Sequence, residues 1–336
     1  MTIRPHILID AHSHVVPRSF PDAPISARDV RWPCMRCTGS AQATIEFGGQ
    51  PFRALDDRSW NVERRIDDMD RDGIDIQILS PMPELLSYWL EVEHAIVLLD
   101  HLNHDIAAMV AEAPSRFRGL AAVPLQCPDR AAEMLPRLRE RFGLHGVEIG
   151  SNVNGMLLGD ERMLPFFAAA EACDLPIFVH ALHPIATQST PFGATFNTLV
   201  GFPLDVAMAA ASLIMGGVLD RFPRLRIGFS HGGGAIGAIL GRITRGLGKP
   251  VQGHMGSVEQ FKHFFFDSNV YDPGYLAYLA ETVAPGQIFL GTDYPYKIMQ
   301  ENPRDFLQSA GMGAESLADV SYRTALRFLG EHNPHE

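Results

Sequence analysis

Short apolar runs rich in Val, Ile and Phe alternate with longer amphipathic stretches, and the alternation repeats eight times along one chain. Strands are expected at 6–12, 74–80, 118–124, 144–150, 175–180, 225–231, 263–268 and 287–292. Helical patterns lie between them, near 60–72, 91–113, 128–142, 161–173, 203–220, 235–247, 274–283 and 302–310, and a last helix near 315–329 closes the chain. Such an order predicts an α/β fold with a parallel sheet. A doubly wound open sheet alternates in the same way. The count of eight, with polar residues at the ends of the runs, favours a (β/α)₈ TIM barrel. Residues 17–59 break the repeat: they hold several Pro and Gly residues and a β-flavoured piece, Ala43 to Phe47. They read as an insertion of short strands after the first barrel strand, a lid over one end of a single domain spanning 1–336.

At 336 residues and 46% hydrophobic, the chain is long enough to bury a core of that size. Its net charge of −11 argues against nucleic-acid binding, which rests on neutralising phosphates with Lys and Arg. The N-terminus lacks the charged-then-apolar pattern of a secretory signal. The apolar stretch from Leu199 to Leu219 approaches membrane-spanning length, but it carries Pro203 and Asp205 and is rich in Ala and Gly, so it reads as a buried helix. A soluble, cytoplasmic protein is expected. The four cysteines include Cys34-Met-Arg-Cys37, which lacks the second pair of a zinc ribbon and reads as two thiols in an early loop or hairpin.

In a barrel the C-terminal ends of the strands form the active-site face. Here those ends carry His12-Ser-His14 on the first strand, His180 on the fifth, Ser230-His231 on the sixth and Gly291-Thr-Asp293 on the eighth. Residues i and i+2 of a strand point to one side, so His12 and His14 can converge on one point. A lone histidine at a strand end is usually only a hydrogen-bonding partner. Neutral imidazoles with a carboxylate, gathered at one face, are the ligand set of a catalytic Zn²⁺ or a similar ion.

The segments Asp-Ala-His-Ser-His, Phe-Val-His180, Ser-His231-Gly-Gly-Gly and Gly-Thr-Asp293-Tyr-Pro resemble the amidohydrolase superfamily. More narrowly, with Gly-Val-Glu-Ile-Gly (146–150), Val-Pro-Leu-Gln (123–126) and Arg-Phe-Pro (221–223), they resemble the branch of 2-amino-3-carboxymuconate 6-semialdehyde decarboxylase and related aromatic-acid decarboxylases. The resemblance implies that His12, His14, His180 and Asp293 bind one divalent metal, zinc by preference with manganese or another ion as the alternative. It makes His231 the acid–base residue. Binuclear members carry a carboxylated lysine on the fourth strand, whereas 144–154 is free of lysine, so a single metal is expected. Glu148 on that strand reads as a buried carboxylate paired with a histidine or arginine rather than as an extra ligand. Arg53 matches a family arginine that holds a substrate carboxylate. Arg242 matches one that reaches into the neighbouring subunit's site, which implies a homodimer or higher oligomer.

After His180 the chain departs from the branch, reading Ala-Leu-His183-Pro where an aromatic follows in the family. His183 is expected either to bind a substrate oxygen or to cap its loop. Gly232 to Gly237 satisfies G-x-G-x-x-G, but the acidic residue that a dinucleotide site needs about 20 positions later is missing. These glycines read instead as letting the backbone pass close to His231. The expected activity is non-oxidative decarboxylation of an unsaturated or aromatic carboxylic acid from ring catabolism, with His231 and Asp293 as catalytic residues and no organic cofactor. A metal-dependent hydrolase or hydratase acting on a similar dicarboxylate is the alternative.

Overall fold

Eight parallel strands follow one another around a single sheet: β1 Ile9–Val15, β2 Ile76–Pro81, β3 Phe117–Ala121, β4 Gly146–Gly150, β5 Ile177–His180, β6 Ile227–Phe229, β7 Phe264–Asp267 and β8 Ile288–Phe289. The computed structural model describes residues 7–25, 31–187 and 192–331. The Ala11 N–H donates to the Leu290 carbonyl at 2.8 Å, and Ser13 bridges Tyr294 in parallel, so the last strand returns to the first and the sheet closes as a barrel. Helices cover the outside, and strands buried on both faces read as continuous apolar runs rather than alternating ones. All seven residues of β1 and all five of β4 are buried.

The barrel interior is filled at its lower end by Ile9, Ala11, Ile78, Leu120, Phe178 and Phe289. The C-terminal helix Thr324–Leu329 packs into the same cluster through Ala325 and Phe328 and plugs that end. Polar chemistry is thereby confined to the other end.

Several boundaries differ from expectation, the sixth and eighth strands being shorter at Ile227–Phe229 and Ile288–Phe289. The first strand runs to Val15, so His12 and His14 lie within it; the start expected at residue 6 falls outside the described residues. Its last turn of chain is held extended because Ser13, His14 and Val15 pair with Leu79, Ser80 and Pro81 of β2. The third strand stops at Ala121, and the helix expected at 203–220 divides into Phe202–Met215 and Val218–Arg221. It breaks at Gly217, whose φ of +60° lies in the left-handed region that ends helices.

Within 17–59 the strands Pro33–Cys37, Gln42–Phe47 and Gln50–Asp56 form a three-stranded antiparallel sheet beside the barrel; residues 26–30 of that stretch lie outside the described ones. Cys34 and Cys37 sit in its first hairpin, exposed and unbridged. The apolar 193–215 stretch forms one helical run, long and apolar enough by composition to span a membrane, but Val206, Ala209, Ala210 and Leu213 are buried against the barrel.

Candidate metal centre and active site

A β-bulge in β1 aims the first two histidines. The β1–β2 register shifts between Asp10 and Ser13. Ile9 and Ala11 therefore pack into the barrel interior, and after the extra residue His12 and His14 face it too. Asp10 and Ser13 turn the other way. Asp10, fully buried, accepts from Gln77 Nε2 at 2.9 Å and from the Thr292 hydroxyl and N–H at 2.7 and 3.0 Å. That carboxylate ties β1 to the turn bearing Asp293, whose own N–H donates to the His12 carbonyl at 2.8 Å. Arg65, buried in helix Val62–Asp72, donates to the His14 carbonyl at 2.6 Å, Gln77 Oε1 at 2.7 Å and the Arg58 carbonyl at 2.9 Å. Neutral oxygens thus brace the back of the bulge around a buried charge.

One ligand atom from each of His12, His14, His180 and Asp293 lies within 4.8 Å of the others, and all four residues are buried. The Nε2 atoms of His12 and His14 stand 3.0 Å apart, with Asp293 Oδ1 at 3.5 and 3.2 Å from them. The opposite ring nitrogens are engaged: His14 Nδ1 donates to the Pro81 carbonyl at 3.1 Å and His180 Nδ1 to the Ala181 carbonyl at 2.8 Å. Those bonds set the tautomer, so the Nε2 lone pairs converge. His180 Nε2 and Asp293 Oδ1 are buried without a hydrogen-bond partner. Buried polar atoms left so are costly, and a cation at their centre satisfies them together. The donor set, three imidazole nitrogens and a carboxylate, fits a divalent ion with a position left for water or substrate.

His12 differs from the other two because its Nδ1 meets Asp267 Oδ2 at 2.6 Å, both side chains being fully buried. Burial alone would lower the His12 pKa; the Asp267 hydrogen bond, with the charges of Asp293, Asp267 and Glu148, outweighs it and raises it to about 9. Burial takes His14 down to about 4 and His180 well below the ordinary histidine value. Asp267 was missed in the sequence although it ends the seventh apolar run as the other site residues end theirs. Its Oδ1 accepts from the Gly232 and Asn269 N–H groups at 2.7 and 3.1 Å, so it also holds the loop carrying His231.

His231 stands beside the donor set, its ring 5.2 Å from that of His180 and 5.8 Å from that of His12. Its Nδ1 contacts Ser230 Oγ at 3.1 Å, and Phe202 stacks on its face. Burial lowers its pKa, against the opposing pull of the Asp267 and Asp293 carboxylates. The glycines after it carry no nucleotide fold: Gly234 has φ +58°, and a Cβ there would stand 1.8 Å from the Pro203 carbonyl oxygen. The backbone passes too close for any side chain.

His180, His231 and Asp293 open onto a cavity of about 1510 Å³ that Arg53, Tyr296, Asn269, His183 and Glu84 also line. Arg53 reaches it from the last strand of the inserted sheet, its guanidinium 4.2 Å from the Tyr296 ring, which in turn stacks on His14 at 5.0 Å. Sequence reasoning missed Tyr296 and Asn269; the latter is buried with both amide atoms lacking hydrogen bonds. Glu148 is fully buried on β4, 3.8 Å from His14 Nδ1, and outside the four-residue donor group. It pairs with no arginine among the described residues, and burial raises its carboxyl well above the ordinary value. Arg242 is exposed on helix Ile236–Leu247 and does not line this cavity.

The sequence model of the amidohydrolase family matches residues 9–330. The 2-amino-3-carboxymuconate-6-semialdehyde decarboxylase of Dictyostelium discoideum is 33% identical over 328 residues, covering 96% of this chain and 91% of that one. Among solved structures, the 5-carboxyvanillate decarboxylase of Sphingomonas paucimobilis superposes with a TM-score of 0.75 at 24% identity, covering 97% of this chain and 99% of that one. The 5-carboxyvanillate decarboxylase of Novosphingobium aromaticivorans, solved with manganese and a nitrobenzoic acid, gives a TM-score of 0.77 at 20% identity, with 97% and 96% covered.

Proposed function

The chain belongs to the amidohydrolase family, and from that premise we propose that it is a divalent-metal-dependent, non-oxidative decarboxylase of an unsaturated or aromatic carboxylic acid. The observation that carries this reading is the convergence of His12, His14, His180 and Asp293 on one point, with His231 facing the same cavity but standing outside the donor set. His12, His14, His180 and Asp293 would hold the ion, with zinc preferred for a nitrogen-rich four-donor set. When bound, such an ion polarises a substrate oxygen and stabilises the negative charge that develops on it.

The chain's own residues supply the rest. With its Nδ1 against Ser230, His231 has Nε2 free to deliver a proton to the carbon bearing the departing carboxylate. The carbon–carboxylate bond then breaks, CO₂ leaves, and the bond's electron pair returns to the carbon framework where the proton has been added. His231 regains a proton from solvent. Arg53 makes no ion pair among the described residues, and its planar fork suits a carboxylate of the substrate. Arg242, exposed and outside the lining of its own chain's cavity, acts in the site of a neighbouring subunit in this reading.

The test follows the atoms. With a substrate labelled in its carboxyl carbon, labelled CO₂ supports decarboxylation. Oxygen-18 taken up from water into a stable product that keeps every carboxyl carbon assigns the site to hydrolysis or hydration instead. His231→Ala is expected to keep one metal per chain and lose about 10²–10⁴ in kcat.

A further inference from the structure

Three side chains that this chemistry leaves unused meet at the rim of the cavity. Glu84 lies in the 3₁₀ turn Pro83–Leu86 that follows β2, His183 three residues beyond His180, and Arg31 just before the inserted sheet. His183 Nε2 stands 3.0 and 3.2 Å from the two Glu84 carboxylate oxygens, and Arg31 Nη2 donates to Glu84 Oε1 at 2.7 Å. The Arg31 guanidinium lies 4.4 Å from the Trp89 ring, and the His183 ring lies 5.7 Å from Trp89 on a tilt. The Glu84 side chain is only 10% exposed, whereas His183 keeps 42% and lines the cavity with it.

Two features show that His183 is placed rather than left loose. Its backbone holds φ +46°, a left-handed conformation uncommon outside glycine. Its carbonyl accepts from Asn152 Nδ2 at 3.3 Å, and the same amide is fixed by Asp205 at 2.9 Å. With Nε2 committed to Glu84, the nitrogen left for a ligand is Nδ1. In the reading above, Arg53 takes a carboxylate of the substrate. An imidazole held by a carboxylate offers something different, a ring nitrogen fixed in direction.

Resting on the decarboxylase reading above, we infer that His183, positioned by Glu84, hydrogen-bonds through Nδ1 to a hydroxyl or amine substituent of the substrate and so selects acids bearing one. The Arg31–Glu84 pair and the Arg31–Trp89 contact link the segment before the inserted sheet to the barrel without using His183. A site built to bond a substrate hydroxyl or amine discriminates strongly against the analogue lacking it.

Calorimetry on the metal-loaded protein with isophthalate and its hydroxy and amino derivatives tests this. At least one derivative is expected to bind wild type about tenfold or more tighter than isophthalate. In His183→Leu that preference should fall below about threefold, because the ring nitrogen that bonds the substituent has gone. Glu84→Met should lose most of the preference as well. Arg31→Met, which opens the join but leaves the His183–Glu84 pair, should keep it. The inference is overturned by a wild type with no preference, by a preference that survives His183→Leu, or by equal loss in Arg31→Met. Failure of every compound to bind while a carboxyl-labelled acid still releases labelled CO₂ overturns this inference alone; failure of both overturns the decarboxylase reading with it, so the two failures are told apart.

Discussion

Asp267→Asn isolates one atom of the metal centre. The two side chains have the same shape, and the Asn carbonyl oxygen can keep both backbone bonds that Oδ1 accepts, from Gly232 at 2.7 Å and Asn269 at 3.1 Å. What changes is the atom facing His12 Nδ1 at 2.6 Å, which turns from an acceptor into an N–H donor. His12 then carries its proton on Nε2, the nitrogen that faces His14 and Asp293. A ligating histidine deprived of its carboxylate partner typically costs 10–100-fold in metal affinity, about 1.4–2.8 kcal/mol. The pH of measurement matters, because Asp267 also helps to raise the His12 pKa to about 9. Below that value the wild-type apo-protein must shed a proton to take the metal, and the variant less so. The gap should therefore be full at and above pH 9 and should narrow as pH falls. Competition against a chelator at pH 9 and pH 7, with thermal unfolding of both apo-proteins as a folding control, reads this directly. A dissociation constant within about threefold of wild type at pH 9, below the range expected for such a partner, would refute the role given to Asp267.

Arg65→Met should lower stability by about 3 kcal/mol or more in urea unfolding, because the buried oxygens of Ser13, His14 and Gln77 and the part-buried Arg58 carbonyl lose their donor at once. A loss below about 1 kcal/mol would show that the bulge holds itself. Metal binding to the apo-protein at pH 7 should release about one proton, from His12 alone, since His14 lies near 4 and His180 is also held neutral. Calorimetry in buffers of different ionisation enthalpy counts that proton, and the release should fade as pH rises past about 9. Mixed oligomers of inactive Arg242→Ala and inactive His231→Ala chains should regain part of the activity; heterodimers that form and stay inactive would place Arg242 outside the neighbour's site.

The residues that converge were legible because of where a barrel puts strand ends. His12, His14, His180, His231 and Asp293 each follow an apolar run, and parallel strands of one barrel bring those ends to a single face. Asp267 carried the same signal at the end of Phe-Phe-Phe and went unread, since a lone carboxylate there resembles an ordinary strand-ending polar residue. Glu84 and Tyr296 carried less. Their roles come from what lies across the cavity, His183 and Arg31 for one, Arg53 and His14 for the other, and no spacing along the chain records such neighbours.

Hydrophobic periodicity by itself determined the class of fold, the number of barrel strands and the face on which chemistry gathers, because each depends on local runs and their order. The bulge in β1 belongs to the tertiary structure alone. Alternation along Ile9 to His14 would set Ile9 and Ala11 opposite His12 and His14 in phase; only pairing with β2, braced by Arg65 and by Asp10 reaching Thr292, slips the register so that both sets face inward. Protonation is decided there too. Three histidines of identical chemistry differ because one has a buried carboxylate at 2.6 Å and the others have backbone carbonyls, and those partners arrive from β7, from the end of β2 and from the turn after β5.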